Sequence, residues 1–119
     1  MRFLTGLLAF IGLLVAATAV DRARATGFAS YYAIINAGGA TIKGSGVSSS
    51  AKTALGIYDV TFGRDVADCA LIGTLRGGAA GFVAARNKVG APKAVTVTTF
   101  LRTGARTDLS FYLLVHCNT

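Results

Sequence analysis

The sequence predicts an all-β protein: a small antiparallel β-sandwich or barrel of six to seven strands, preceded by a signal-peptide helix. Three observations carry that expectation. In "GIYDVTF" (Gly56 to Phe62) the residues Tyr58, Val60 and Phe62 share one face and Asp59 and Thr61 the other, the period of a half-buried strand. Turn-forming clusters recur at a spacing of about ten residues, as in sandwiches and small barrels. Behind the leader there are thirteen glycines and one proline; long helices are disfavoured, because each interior glycine costs a helix about 1 kcal/mol.

The first element is a leader. Arg2 supplies a basic start, "FLTGLLAFIGLLV" (Phe3 to Val15) is an uncharged apolar run, and Ala17-Thr18-Ala19 has the small-x-small form of a signal-peptidase site. Residues 1–19 therefore read as a signal peptide, with an alternative cut after Ala25. The competing reading is a retained membrane tether. Phe3 to Val20 is near the lower length limit of a spanning helix, and Arg22 and Arg24 flank it. No cysteine adjoins the cut and no twin arginine precedes the apolar run, so the general export route is expected. The protein is then secreted or periplasmic.

Residues 28–119 form the single β-domain. "SYYAII" (Ser30 to Ile35), the turn "NAGG" and "ATIKGSG" read as a hairpin over Ser30 to Lys43. "VSSSAKTALG" (Val47 to Gly56) is a loop or an irregular edge strand. After "GIYDVTF", the segment "GRDVAD" is expected to turn the chain so that "CALIGTL" (Cys69 to Leu75) pairs with it. "FVAARN" (Phe82 to Asn87) suits a strand or one helical turn, and "KVGAPK" a loop. "AVTVTTFL" (Ala94 to Leu101) is the strongest strand by propensity. "SFYLLVHC" (Ser110 to Cys117) closes the domain.

The two cysteines fall on apolar faces. Counting by twos from Cys117 gives Val115, Leu113 and Phe111; from Cys69 it gives Leu71, Gly73 and Leu75. Two inward cysteines in an exported chain, with none left over, predict a disulfide. In the chain-entropy picture, closing a loop of this length is worth about 4 kcal/mol. A Cys117–His116 nucleophile pair is disfavoured, since neighbours on a strand point to opposite faces. Two cysteines and one histidine without a short paired spacing make no zinc site, and no metal or cofactor is expected.

Taken together, "GSGV" (Gly44 to Val47), Gly56-x-Tyr58-x-Val60-x-Phe62, Arg64-Asp65-Val66 with Cys69-Ala70, "GFV" (Gly81 to Val83) and Phe111-x-Leu113-Leu114-Val115-x-Cys117 resemble a family of small exported bacterial β-domains of unassigned function. The resemblance spans Tyr31 to Cys117. It implies an all-β fold with paired cysteines, and it transfers no catalytic residue.

Candidate chemistry is sparse. Glutamate is absent, so carboxylate catalysis would fall to Asp59, Asp65, Asp68 and Asp108. Asp65 and Asp68 share one turn, where capping is the simpler role; a small hydrolase using that turn is the alternative function. No serine sits in a nucleophile elbow. Gly39 and Gly44 have phosphate-loop spacing, but Ser45 stands where that loop's lysine should be.

Charge is the remaining feature. The chain carries 12 basic and 5 acidic residues, formally +7. Arg86, Lys88, Lys93, Arg102 and Arg106 cluster in sequence around the last three strands and form a possible anion-binding patch. An anionic envelope polymer or lipid headgroups would suit it. Nucleic acid is disfavoured, because the arginines are not interleaved with stacking aromatics. Bare sandwich edges leave a homo-oligomer open. The expected function is a non-enzymatic structural or binding module at the cell envelope or outside the cell.

Overall fold

The computed structural model describes residues 27–118. The expected signal peptide, with both its cleavage sites, lies outside the described residues. Ala29–Cys117 make one compact unit. Eight strands build it: β1 (Phe28–Ile35), β2 (Thr41–Ser45), β3 (Val47–Ala54), β4 (Ile57–Phe62), β5 (Ala70–Leu75), β6 (Gly81–Lys88), β7 (Ala91–Leu101) and β8 (Phe111–Asn118). They form two four-stranded antiparallel sheets, sheet I in the order β2-β1-β8-β5 and sheet II in the order β3-β4-β7-β6.

The core follows from strand parity. Tyr58, Val60 and Phe62 of β4 and Val95 and Val97 of β7 meet Ala33 and Ile35 of β1 and Phe111, Leu113 and Val115 of β8, all buried. Tyr58 packs edge-on against Phe111 with ring centroids 5.0 Å apart, tying the two sheets together. Strand β7, the strongest by propensity, is interior to sheet II. It pairs β4 on one side and β6 on the other, and Ala94, Val95, Thr96 and Val97 are all buried.

Three local expectations are corrected. The strands number eight, because Val47–Ala54 and Gly81–Lys88 both pair fully. β3 is small and polar because it is an edge strand exposed over most of its length. Second, Cys69 to Leu75 does not partner β4. The segment Gly63 to Asp68 crosses to sheet I, where β5 pairs β8 from Ala70↔His116 to Leu75↔Phe111. What makes it a crossing is Val66, fully buried between the sheets, whose N–H donates to the Pro92 carbonyl at 2.9 Å. Third, Lys88 to Lys93 is a tight hairpin, Lys88 pairing Ala91 across Val89 and Gly90. The hairpin over Ser30 to Lys43 forms as expected, Ile34 pairing Lys43.

The sheets are also joined by a bend. β2 runs into β3 through Gly46 alone, at φ 77°. A Cβ there would lie 2.4 Å from Tyr31 Cδ1, so only glycine lets the strand turn the corner against that ring.

Candidate functional site

The five cations expected to form one patch are divided by the length of β7. Arg86 and Lys88 lie near the β6–β7 turn and Lys93 at the start of β7, whereas Arg102 and Arg106 follow its far end. Nine residues of extended chain separate Lys93 from Arg102, about 30 Å. That exceeds the roughly 8–10 Å over which exposed charges act at physiological salt. Three of the residues are brought together and two are not.

The first group borders a groove. Between Asn87↔Val95 and Lys88↔Ala91 the register of β6 and β7 slips, so Pro92, Lys93 and Ala94 have no partner on β6. The irregularity opens a groove of about 400 Å³ on the outer side of sheet II, lined by Asp59, Thr61, Lys88, Ala91, Pro92, Lys93 and Ala94. Its floor is apolar at Ala91, Pro92 and Ala94. Lys88 reaches across β7 to form an ion pair with Asp59, whose other oxygen accepts a bond from the Thr96 hydroxyl at 3.2 Å. Arg86 is paired across from Thr96 and is exposed. Asp59 is the groove's one acidic side chain, and Lys88 already neutralises it. Among the described residues Lys93 and Arg86 make no ion pair, so the groove carries a net positive charge.

Cys69 and Cys117 are disulfide-bonded, with Cα atoms 4.4 Å apart. The bond joins the entrance of β5 to the end of β8 and leaves no thiol for a Cys–His pair. A disulfide fits an extracellular or periplasmic location. His116 instead shares a 2.8 Å hydrogen bond through Nδ1 with Ser30 Oγ. Sequence reasoning missed this hydroxyl–imidazole pair, since 86 residues separate the two and only the β1–β8 neighbourhood unites them.

The carboxylates are engaged structurally. Asp65 accepts the Ala67 N–H at 2.8 Å, closing the crossing turn, and both Asp65 and Asp68 are exposed outside the groove. Asp108 accepts the Gly56 N–H at 2.7 Å and forms an ion pair with Lys52 at 2.8 Å. The hydrogen bond from the Lys52 ammonium, with that from the Gly56 N–H, holds the Asp108 carboxyl below its ordinary range, and the same Lys52–Asp108 bond raises the Lys52 ammonium above its own. Burial pushes the Tyr58 phenol up, and the Asp108 charge adds to the effect. Its hydroxyl donates to the Ala37 carbonyl at 2.8 Å. Among the described residues no three potential metal ligands cluster, and no helix is long and apolar enough to cross a membrane.

No family model, curated protein or solved structure matches the chain.

Proposed function

We propose that the protein is an exported, non-enzymatic binding module of the cell envelope or extracellular space, and that the β6–β7 groove takes the charged groups of an anionic envelope polymer. The observation that carries this reading is Lys93 with Arg86, two cations that make no ion pair among the described residues, beside a groove whose one aspartate is already neutralised. A groove open along a sheet face suits a chain passing over it. The disulfide fits the export expectation, as does the resemblance to small exported bacterial β-domains.

Heparin is a suitable probe of charge-driven polymer binding. The exported protein should bind it weakly, less as salt is added, and without preference for polymer sequence. Arg86→Glu with Lys93→Glu should remove most of the binding while leaving thermal stability unchanged, because exposed positions carry little packing. Equal binding by parent and variant at low salt overturns the reading.

The competing hydrolase reading rests on Asp65 and Asp68. The Asp65 bond to its own turn favours the capping role. Hydrolytic turnover abolished by Asp65→Ala or Asp68→Ala would reverse that preference.

A further inference from the structure

The opposite end of the sandwich, where β7 finishes, gathers several exposed apolar side chains with arginines, where the groove end offers Val89 alone. Three turns converge there. The β3–β4 turn is held by the Gly56 carbonyl accepting the Thr99 N–H at 2.8 Å. The β5–β6 connection is held by the Arg76 N–H donating to the Ser110 carbonyl at 2.9 Å and the Ala80 carbonyl accepting the Arg102 N–H at 3.3 Å. The β7–β8 connection folds back so that the Leu101 N–H donates to the Ala105 carbonyl and Arg106 bridges Phe100.

The β3–β4 turn and the adjoining strand ends present Leu55, 60% exposed, Leu101, 37%, and Phe82, 49%, the last packed against Phe100 with tilted rings 5.4 Å apart. Single exposed apolar residues are ordinary. Here Leu55 comes from the β3–β4 turn, Phe82 from the start of β6 and Leu101 from the end of β7, and Arg76, Arg102 and Arg106 in the adjoining connections are all exposed. The one acidic residue in the vicinity, Asp108, is occupied by Lys52 and the Gly56 N–H. The end thus exposes apolar and cationic side chains together, and among the described residues no free carboxylate lies beside the arginines.

From this arrangement we infer that the β7-distal end docks on a lipid surface bearing anionic headgroups. Leu55, Leu101 and Phe82 enter the boundary between headgroups and acyl chains, and Arg76, Arg102 and Arg106 contact the headgroups. Apolar tips interspersed with basic residues gain from both the interfacial layer and the negative surface potential. A soluble polyanion would use the arginines but not the apolar tips, and that difference makes the inference testable. It involves none of the residues of the β6–β7 groove, so either reading can fail alone.

The chain contains no tryptophan, so a single introduced indole reports its own surroundings. Leu55→Trp is placed at the proposed contact, and Val89→Trp, 88% exposed at the β6–β7 turn, is the control. The leader is first verified as removed by intact mass. With phosphatidylcholine vesicles containing phosphatidylglycerol, Leu55→Trp emission should shift to the blue and be quenched by brominated acyl chains, and Val89→Trp should do neither. Arg76→Glu with Arg102→Glu and Arg106→Glu should reduce vesicle partitioning by roughly fivefold or more per arginine. Leu55→Ser with Leu101→Ser should reduce partitioning with heparin binding unchanged. An unshifted Leu55→Trp overturns the inference, as does a shift shared by Val89→Trp. Partitioning lost only on Arg86→Glu with Lys93→Glu would assign the contact to the groove instead.

Discussion

The two ends of the sandwich are closed by different chemistry. At one end the Cys69–Cys117 bond pins the start of β5 to the end of β8, and the crossing segment buries its own Val66 in the core. At the other no covalent link exists among the described residues. Closure there rests on polar contacts: Asp108 with Lys52 and Gly56, Tyr58 with the Ala37 carbonyl, and the Ser110 hydroxyl with the Ile35 carbonyl at 2.6 Å. A covalent closure is insensitive to pH and sensitive to reductant, and a polar closure is the reverse. The end whose closure responds to pH also exposes Leu55, Phe82 and Leu101.

The largest effect expected from breaking this contrast is at the disulfide end. Cys117→Ser should lower stability by about 2–5 kcal/mol, read from the urea midpoint. Hydrogen exchange should speed up first at the joined ends of β5 and β8. Two free thiols in the unreduced parent, by intact mass after alkylation, would remove the premise.

Gly46→Ala comes next. Its Cβ would strike the Tyr31 ring at a positive φ, and strain of this kind costs on the order of 1–3 kcal/mol. A thermal midpoint equal to the parent's would show that the corner can relax.

At the polar end Tyr58→Phe removes a buried hydroxyl and leaves the Ala37 carbonyl without that donor, a loss of about 1 kcal/mol. The same end sets the pH response. Asp108 has a lowered folded-state pKa, so its contribution is present above the ordinary carboxylate value near 4 and is lost as acid protonates it below that. Lys52 and Tyr58 have raised values, so their contributions hold below about 10 and fade as pH climbs past it. Asp108→Asn should flatten the acid limb of a stability–pH curve and leave the reductant response untouched.

The smallest stability effects belong to the surface charges. Arg102→Glu with Arg106→Glu, like Arg86→Glu with Lys93→Glu, should shift unfolding by no more than about 0.5 kcal/mol, since these side chains are exposed. Their effects should appear in binding alone, the first pair mainly on vesicles and the second mainly on heparin. If both pairs impair both ligands equally, the distinction between the ends fails as a functional one.

How much of this was legible beforehand depends on the range of the interaction concerned. The inward sets Tyr58-Val60-Phe62 and Phe111-Leu113-Val115-Cys117 follow from residues two apart, because a strand's side chains alternate strictly. The disulfide followed from the same parity together with the count of cysteines. An all-β fold without long helices followed from the spacing of turns and the glycine content. Each is a property of a short window or of the whole composition, and a folded partner is not needed to read it.

Which sheet a strand joins is a different kind of property. "GRDVAD" has the composition of a hairpin turn, and only the space between the sheets that Val66 fills makes it a crossing. Arg86, Lys93 and Arg102 are close in sequence, and the straightness of β7 then places Lys93 and Arg102 about 30 Å apart. Ser30 and His116 are remote in sequence, and the adjacency of β1 and β8 makes them hydrogen-bond partners. The faces of the strands are fixed locally, since alternation is a backbone constraint. What each face meets depends on the folded whole, since strand pairing and sheet packing are settled by contacts between residues far apart in the chain.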